Sequence, residues 1–226
     1  MAQSLRSFLI SILDYFRHKK SYSQDGEDVV LSAFFDHKKN YKGFFVDVGA
    51  HHPVRFSNTW MFYKKGWRGI NIDPTPGSMK PFRWLRSRDI NLEIGVGGTP
   101  GILTFFCFNE PALNTFNKAV AEERNTGKPY RITKSIDVPI KPLAQILKEN
   151  LPEGGHIDFF SIDVEGLDLE VLRSNDWALY RPDYLLVEDT KFSLQDMAQS
   201  EINRFLTEKG YAIIAVLQRT LIYKSK

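Results

Sequence analysis

The sequence has little cysteine, and its charges nearly balance. Cys107 is the only cysteine among 226 residues, so no disulfide can form within the chain, which fits a reducing compartment. The 30 lysines and arginines outnumber the 27 acidic residues only slightly. Basic residues are scattered apart from two clusters, 18–20 and 83–88, so we expect no nucleic-acid partner.

Long apolar runs are missing from the start of the chain. Residues 4–17 carry apolar side chains at three- and four-residue steps, which predicts an amphipathic helix. Polar residues interrupt the stripe, so it is neither a signal-peptide core nor a membrane span. Such a helix packs on its own domain or on a partner, or it lies on a membrane surface. We expect a cytoplasmic protein. If the helix lies on a membrane, we expect the protein at the inner membrane surface.

The composition is that of a globular protein, with 42% hydrophobic and 25% charged residues. The length suits one α/β domain with a core that needs no disulfide or metal. We therefore expect an N-terminal helix within residues 1–20 and a single domain over residues 21–226. Nothing in the composition predicts the oligomeric state.

The loop after the first predicted strand has one glycine where a dinucleotide-binding loop has three. Gly43–Pro53 reads GFFVDVGAHHP, a buried strand that ends at Gly49. A G-x-G-x-x-G loop lets the backbone approach a pyrophosphate. The single glycine favours a ligand with an adenosine but no pyrophosphate, and S-adenosylmethionine is the commonest such cofactor. A purely structural turn is the alternative.

A second predicted strand ends in an acid that suits a ribose. Gly69–Asp73 reads GINID, and Asp73 follows Asp47 by 26 residues. A strand, a glycine turn, a helix and a strand that ends in an acid form the half-site that holds an adenosine ribose by its hydroxyls. We expect Asp73 to bind the ribose, with Pro74 beside it.

Two helix starts are expected near the same edge. In SYSQDGED, Ser23 or Asp25 is predicted to cap a helix, which makes Gln24 a candidate to contact a ligand or only to complete the cap. Ser57 or Asn58 is predicted to start another helix, whose free N–H groups suit a carboxylate such as the methionyl end of the cofactor.

The order of predicted elements indicates a Rossmann-like fold with a mainly parallel, seven-stranded sheet and helices on both faces. Strands are predicted at 90–96, 157–164 and 184–187, with helices at 78–86, 143–151, 167–173 and 194–209. The last strands, 211–217 and 220–223, are too close for a parallel crossover, so one C-terminal strand must be antiparallel. Residues 101–138 interrupt the alternation and are expected to form a lid or an acceptor pocket.

Acids and histidines at the predicted strand ends are the candidates for catalysis. His51, His52, Asp163, Glu165 and Glu188 follow the first, fourth and fifth strands. Imidazole or carboxylate can take a proton from a hydroxyl, and carboxylates can also bind magnesium. Structural roles are the alternatives: a helix cap for Glu165, loop hydrogen bonds for Glu188 and a filled turn for the histidines. A divalent metal has no further support, because no binding-loop pattern frames these residues.

Several ordered segments resemble the FkbM family of S-adenosylmethionine-dependent methyltransferases. They are SYSQDGED, then FVDVGAHHPVRFSNTWMFYKKGWRGINIDPTP, then NLEIGVGG, then FFSIDVEGLDLEVLRSNDW. The resemblance covers residues 21 to about 190 and implies a methyltransferase that acts on a hydroxyl of a sugar, a glycan or a related metabolite, in surface-polysaccharide biosynthesis. A non-catalytic scaffold of the same fold and a nicotinamide-dependent oxidoreductase are the alternatives, the second disfavoured by the missing glycines.

The resemblance also implies roles for particular residues. Asp47, Gly49 and Ala50 would form the cofactor loop and Asp73 would bind the ribose. Gly95 and Val96 would lie near the adenine, and Asp163 near the methionyl group or the acceptor. His51 and His52 stand where methyltransferase loops generally have small residues.

Overall fold

A computed structural model describes residues 19–226, and all structural statements refer to these residues. The helix predicted for residues 4–17 lies outside them. No helix within the described range is long and apolar enough to cross a membrane.

Helices and strands alternate through most of the described chain. The helices are α1 (Glu27–Ala33), α2 (Trp60–Lys64), α3 (Met79–Leu85), α4 (Lys118–Arg124), α5 (Leu143–Asn150), α6 (Asp168–Arg173) and α7 (Glu201–Glu208). The strands are β1 (Phe44–Val48), β2 (Arg68–Ile72), β3 (Ile90–Leu92), β4 (Gly95–Val96), β5 (Gly101–Phe108), β6 (Ile132–Lys141), β7 (Phe159–Ile162), β8 (Tyr184–Glu188), β9 (Tyr211–Val216) and β10 (Thr220–Ser225).

Seven strands form the main sheet in the order β3-β2-β1-β7-β8-β10-β9. The pairs from β3 through β8 are parallel, and β10 is antiparallel to both β8 and β9. The predicted fold class is therefore confirmed, including the reversed C-terminal strand. The direction of β10 follows from the short turn that joins it to β9, since a parallel connection needs a dozen or more residues.

Alternate residues of the central strands pack into two cores, one on each face of the sheet. Val46 and Val48 of β1 join one core, whereas Phe45 joins the aromatic core on the other face. On β7, Phe160 and Phe159 divide in the same way. Burial on both faces explains why these strands are almost entirely apolar.

Residues 95–141 form a second, three-stranded sheet in the order β4-β6-β5. The strand predicted at 90–96 is divided, because Ile90–Leu92 pairs with β2 while Gly95–Val96 pairs with β6. The segment from β5 to β6, 101–141, is called the excursion below; whether it acts as a lid remains a prediction.

Two helices differ from their predictions. The helix predicted for 194–209 begins only at Glu201, since Ser200 caps it by accepting a hydrogen bond from the Asn203 amide. Gly26 precedes α1 with φ of 93° and supplies no side-chain cap. Ser23 Oγ accepts from the Asp28 amide in the first turn at 3.3 Å and donates to the buried Asp28 carboxylate, so the SYSQDGED segment folds around that acid.

Candidate active site

A cleft opens at the carboxyl edge of the main sheet, where β2, β1, β7 and β8 end. Ten of the predicted site residues line it: Gln24, Gly49, His51, Asn58, Asp73, Pro74, Val96, Asp163, Glu165 and Glu188. The excursion contributes Phe105, Asn114 and Phe116 to the same cleft. In open α/β sheets this edge, at the point where strand order reverses, is where ligands bind. Here that point lies between β1 and β7.

Gly49 allows the chain to turn directly after β1. Its φ is 83°, and a Cβ added there would lie 1.7 Å from the Asp163 carbonyl oxygen. The amides of Gly49 and Ala50 donate to the Ile72 carbonyl at 2.9 and 3.0 Å. The turn is thus fixed against the ends of both neighbouring strands, and no side chain fits at position 49.

Asp73 is fixed by the same loop and retains capacity for a ligand. Its carboxylate oxygens accept from the His51 amide at 2.9 Å and the Thr75 amide at 2.8 Å. A carboxylate has about four acceptor positions, so two remain after these bonds. The side chain lines the cleft, where ribose hydroxyls could use the remaining positions.

His51 faces the cleft in a strained backbone conformation. Its φ is 50°, which is uncommon for a residue other than glycine, and such strain often marks functional sites. Burial lowers the pKa of the ring, although the charge of Asp73 opposes the shift. The ring is therefore neutral at neutral pH.

His52 lies outside the cleft lining. Its Nδ1 accepts hydrogen bonds from the amides of Val54 and Arg55 at 3.1 and 2.9 Å. The ring therefore fills the turn before α2, which was the structural alternative for this histidine.

Three other predicted site residues also lie outside the cleft lining, each for a different reason. They are Asp47, Ala50 and Gly95. The Asp47 carboxylate is buried and accepts from the Thr59 hydroxyl at 2.7 Å. Ala50 packs in a small apolar cluster beside α3. Gly95 pairs with β6, where a Cβ would meet the ring of Phe116.

A helix follows the loop after β1, and it begins at Trp60. Thr59, not Ser57 or Asn58, is the N-cap residue of α2 and gives no side-chain cap, but Ser57 Oγ accepts from the Trp60 amide at 3.1 Å. Asn58 lines the cleft, and its amide donates to Ser161 of β7 at 3.1 Å. Asn58 therefore connects the loop after β1 to the next strand.

Three carboxylates meet at the ends of β7 and β8. Oxygen atoms of Asp163, Glu165 and Glu188 all lie within 4.8 Å of one another. Desolvation raises the pKa of Glu188 to about 8, and repulsion from Glu165 and Asp168 adds to the shift. Asp163 faces the open cleft, yet desolvation and the neighbouring acids raise its pKa well above the usual range. Glu188 therefore holds a proton near neutral pH. The spacing of the three carboxylates would also suit a divalent cation.

Glu165 differs from the other two acids because it has a cationic partner. Arg124 of α4 pairs with its carboxylate at 2.6 Å. Its backbone is strained, with φ of 54°, and its carbonyl accepts from the Thr115 hydroxyl at 2.9 Å. Asn117 donates to the next carbonyl, that of Gly166, at 3.2 Å. These bonds hold the excursion against the loop after β7.

Two charged residues in the cleft were not predicted from the sequence. Arg219 lies in the turn between β9 and β10, and Gln24 accepts from its guanidinium at 2.7 and 2.9 Å when its amide is oriented to satisfy both groups. Glu27 is buried at the start of α1 and accepts from the Thr220 hydroxyl at 3.1 Å. One feature of the sequence could have identified Arg219 as a site residue: it is a charged residue in a two-residue turn at the edge of the sheet.

The fold and the cleft together define a class of protein. A parallel sheet with one reversed strand inserted before its last edge strand is the plan of the Rossmann-like methyltransferases. Residues 47–213 match the methyltransferase FkbM domain, which is well over half of the chain. The chain therefore belongs to the FkbM methyltransferase family.

Two relatives share parts of the chain. Methyltransferase sdnD of Sordaria araneosa is 33% identical over 113 residues, which is 46% of this chain and 40% of that protein. The crystal structure of methyltransferase FkbM from Methylobacillus flagellatus KT matches with a TM-score of 0.49 and 12% identity, over 90% of this chain and 48% of that one. The chain thus spans less than half the length of either relative.

Proposed function

We propose that the protein transfers a methyl group from S-adenosylmethionine to a hydroxyl of a sugar, a glycan or a related metabolite. The observation that carries the proposal is the order of groups along the cleft. The loop after β1 and Asp73 after β2 lie on one half, and the acids after β7 and β8 lie on the other. The first half suits a nucleoside and the second a hydroxyl that must lose a proton.

The residues of the first half fit the cofactor. Asp73 retains acceptor positions for the ribose, and Ile94 and Val96 offer an apolar surface for an adenine. The three glycines of a pyrophosphate loop are missing, which favours S-adenosylmethionine over a nicotinamide cofactor. When bound, the cofactor supplies an electrophilic methyl group on a sulfonium.

The acids of the second half supply the base. We propose Asp163 for this role, because its carboxylate faces the open cleft whereas Glu165 is paired with Arg124. An oxygen atom of Glu188 lies within 4.8 Å of an oxygen atom of Asp163. A carboxylate whose pKa is raised is a stronger base than an ordinary carboxylate, so it takes a proton from a hydroxyl more readily.

The lining of the second half also supports a hydroxyl-rich acceptor. Asp25, Glu27, Asp163, Glu165 and Glu188 place five carboxylates there, and Arg219 is a nearby cation. Carboxylates accept hydrogen bonds from hydroxyl groups, whereas they repel phosphates. The resemblance to the family supports a role in surface-polysaccharide biosynthesis.

A transfer assay with isotopically labelled S-adenosylmethionine tests the proposal. We expect label to enter neutral glycans or sugar derivatives from a panel that also includes phenols and amines. Transfer to amines alone would contradict the hydroxyl assignment. Cofactor binding without transfer to any acceptor would favour the non-catalytic scaffold.

A further inference from the structure

Exposed cations are concentrated at the amino edge of the main sheet, opposite the cleft. Because α1, α2 and α3 run antiparallel to the strands that follow them, their C-terminal ends meet at this edge. Eight exposed cations lie in the ends of α2 and α3, the connections from α1, α2 and α3 to the next strands, and the start of β2. These residues, the basic face, are Lys38, Lys39, Lys42, Lys64, Lys65, Arg68, Arg83 and Arg88.

The cations of the basic face are not neutralised by acids within residues 19–226. None of the eight forms an ion pair there. Two donate hydrogen bonds to neutral groups: Lys64 to the Tyr22 hydroxyl and Arg88 to the Tyr63 carbonyl. The basic face therefore carries a high density of positive charge.

Four acids near the basic face have other partners. Asp36 pairs with Lys19 at 2.5 Å. The buried Asp158 accepts from the Tyr41 hydroxyl at 2.6 Å, and Asp183 lies 3.1 Å from the His156 ring. The buried Asp89 pairs with Arg86. The charge of the face therefore stays net positive, although the whole chain carries only +3.

An apolar anchor lies beside these cations. Trp84 is 84% exposed in the last turn of α3, and the adjacent Leu85 is 41% exposed. Arg83 precedes them and Arg88 follows, both exposed. An indole with cations around it is the combination that binds at the headgroup level of a bilayer, where its apolar body and its N–H are both accommodated.

We propose that the basic face docks onto an anionic lipid bilayer, with Trp84 as its interfacial anchor. Dispersed lysines next to exposed apolar residues suit a lipid surface, which requires charge without a fixed pattern. Nucleic acid is less well matched, because its binding sites follow a backbone along a groove or stripe. The ion pair of Lys19 with Asp36 places the start of the described chain at this same face.

Docking through the basic face determines the side from which the acceptor reaches the cleft. Because the cleft opens at the opposite edge of the sheet, docking leaves it facing water. The acceptor therefore reaches the cleft from the aqueous side and not from the bilayer.

Vesicle co-sedimentation of the full chain tests the proposal. We expect binding to vesicles that contain phosphatidylglycerol, no binding to phosphatidylcholine alone, and weaker binding as salt is added. Replacing Lys39, Lys42 and Arg68 together by glutamine should weaken binding roughly a hundredfold, because each cation near an anionic surface contributes about fivefold. All three are exposed, so the thermal midpoint should not change.

The matched control removes three cations from the excursion. Lys118→Gln, Lys128→Gln and Lys134→Gln together remove the same charge on a different part of the molecule, and binding should stay within about twofold of the unmodified protein. Equal weakening by both triple variants would overturn the proposal. So would binding that does not depend on phosphatidylglycerol, or equally tight binding to a double-stranded DNA oligonucleotide that competes with the vesicles.

The anchor is tested separately. Trp84→Ala should weaken vesicle binding severalfold, whereas Leu194→Ala, which removes an apolar side chain that is 67% exposed after β8, should not. In the unmodified protein, brominated lipids should quench the tryptophan fluorescence, and Trp84→Ala should remove that quenching. Quenching that persists in the variant would show that Trp84 does not contact the bilayer.

Discussion

At the scale of single residues, a close backbone contact determines the conformation of the loop after β1. The carbonyl oxygen of Asp163 lies 1.7 Å from where a Cβ of residue 49 would be, and φ of Gly49 is 83°. Gly49→Ala should therefore destabilise the protein by more than about 1 kcal/mol and weaken binding of S-adenosylmethionine. Thermal unfolding and calorimetric titration measure the two effects.

Gly98→Ala is the matched control for that change. A Cβ at position 98 would have no atom within 4 Å, so stability and binding should be unchanged. If Gly49→Ala behaved like Gly98→Ala, the described contact between the loops after β1 and β7 would be wrong.

Asp163 is the residue that we propose as the base. Asp163→Asn keeps the shape but cannot take a proton, so kcat should fall by a factor on the order of a hundred or more. Cofactor affinity should change little, and a KM-against-kcat comparison separates the two effects. A raised KM for the cofactor with kcat unchanged would assign Asp163 to binding the cofactor instead.

Glu188 makes stability depend on pH. Its pKa is raised from 4.5 to about 8 in the folded protein, so the folded state holds the proton that the unfolded state releases. Stability should therefore fall as pH rises from about 5 to about 8. Asp168, whose pKa is raised to about 8 mainly by burial, acts in the same direction.

Glu188→Gln should reduce that pH dependence. Glutamine cannot ionise, so thermal midpoints measured across this pH range should decline less than in the unmodified protein. A decline of the same steepness would contradict the raised pKa of Glu188.

At the scale of elements, the excursion is attached to the loop after β7 by few contacts. The ion pair of Arg124 with Glu165, at 2.6 Å, is one of them. Arg124→Gln should therefore increase hydrogen exchange of α4 and the surrounding excursion while leaving the central strands protected.

Lys118→Gln is the control for this element. Lys118 pairs at 3.7 Å only with Glu122 of the same helix, and both side chains are well exposed. Its removal should leave exchange unchanged, since exposed pairs of this kind contribute little. Equal exchange in the two variants would show that Arg124 does not hold the excursion.

The sequence predicted the main elements best where periodicity and turn length were decisive. The strand Phe44–Val48 and the reversed β10 follow from a continuous apolar run and a turn too short for a crossover. The helix predicted for 194–209 was too long, because apolar spacing alone did not reveal the cap at Ser200. The division of strand 90–96 was also missed, because a change of pairing partner is a tertiary property.

The candidate site was predicted less completely than the fold. Strand ends brought Asp73, Asp163 and Glu188 to one edge, as their positions in the sequence indicated. The sequence did not reveal which way side chains point, and Asp47 is directed to Thr59 inside the protein while His52 is directed to its own turn. Arg219 was missed because its turn contacts the cleft only after β10 inserts beside β8.

At the scale of the whole molecule, charge is distributed unevenly. Acids surround the half of the cleft at the ends of β7 and β8, and cations without an ion-pair partner cover the opposite edge within the described residues. The total charge is nearly balanced because two faces of opposite charge offset each other. We propose that the cationic edge binds a lipid surface and that the acidic half of the cleft binds the acceptor.

Calorimetric titration with S-adenosylmethionine and with NAD tests the central claim most directly. We predict binding of S-adenosylmethionine at one site, no binding of NAD, and affinity reduced roughly tenfold or more by Asp73→Asn, because a hydrogen bond to a charged group contributes about 1.5–3 kcal/mol. No binding of S-adenosylmethionine, or unchanged affinity in Asp73→Asn, would contradict the assignment of the cleft.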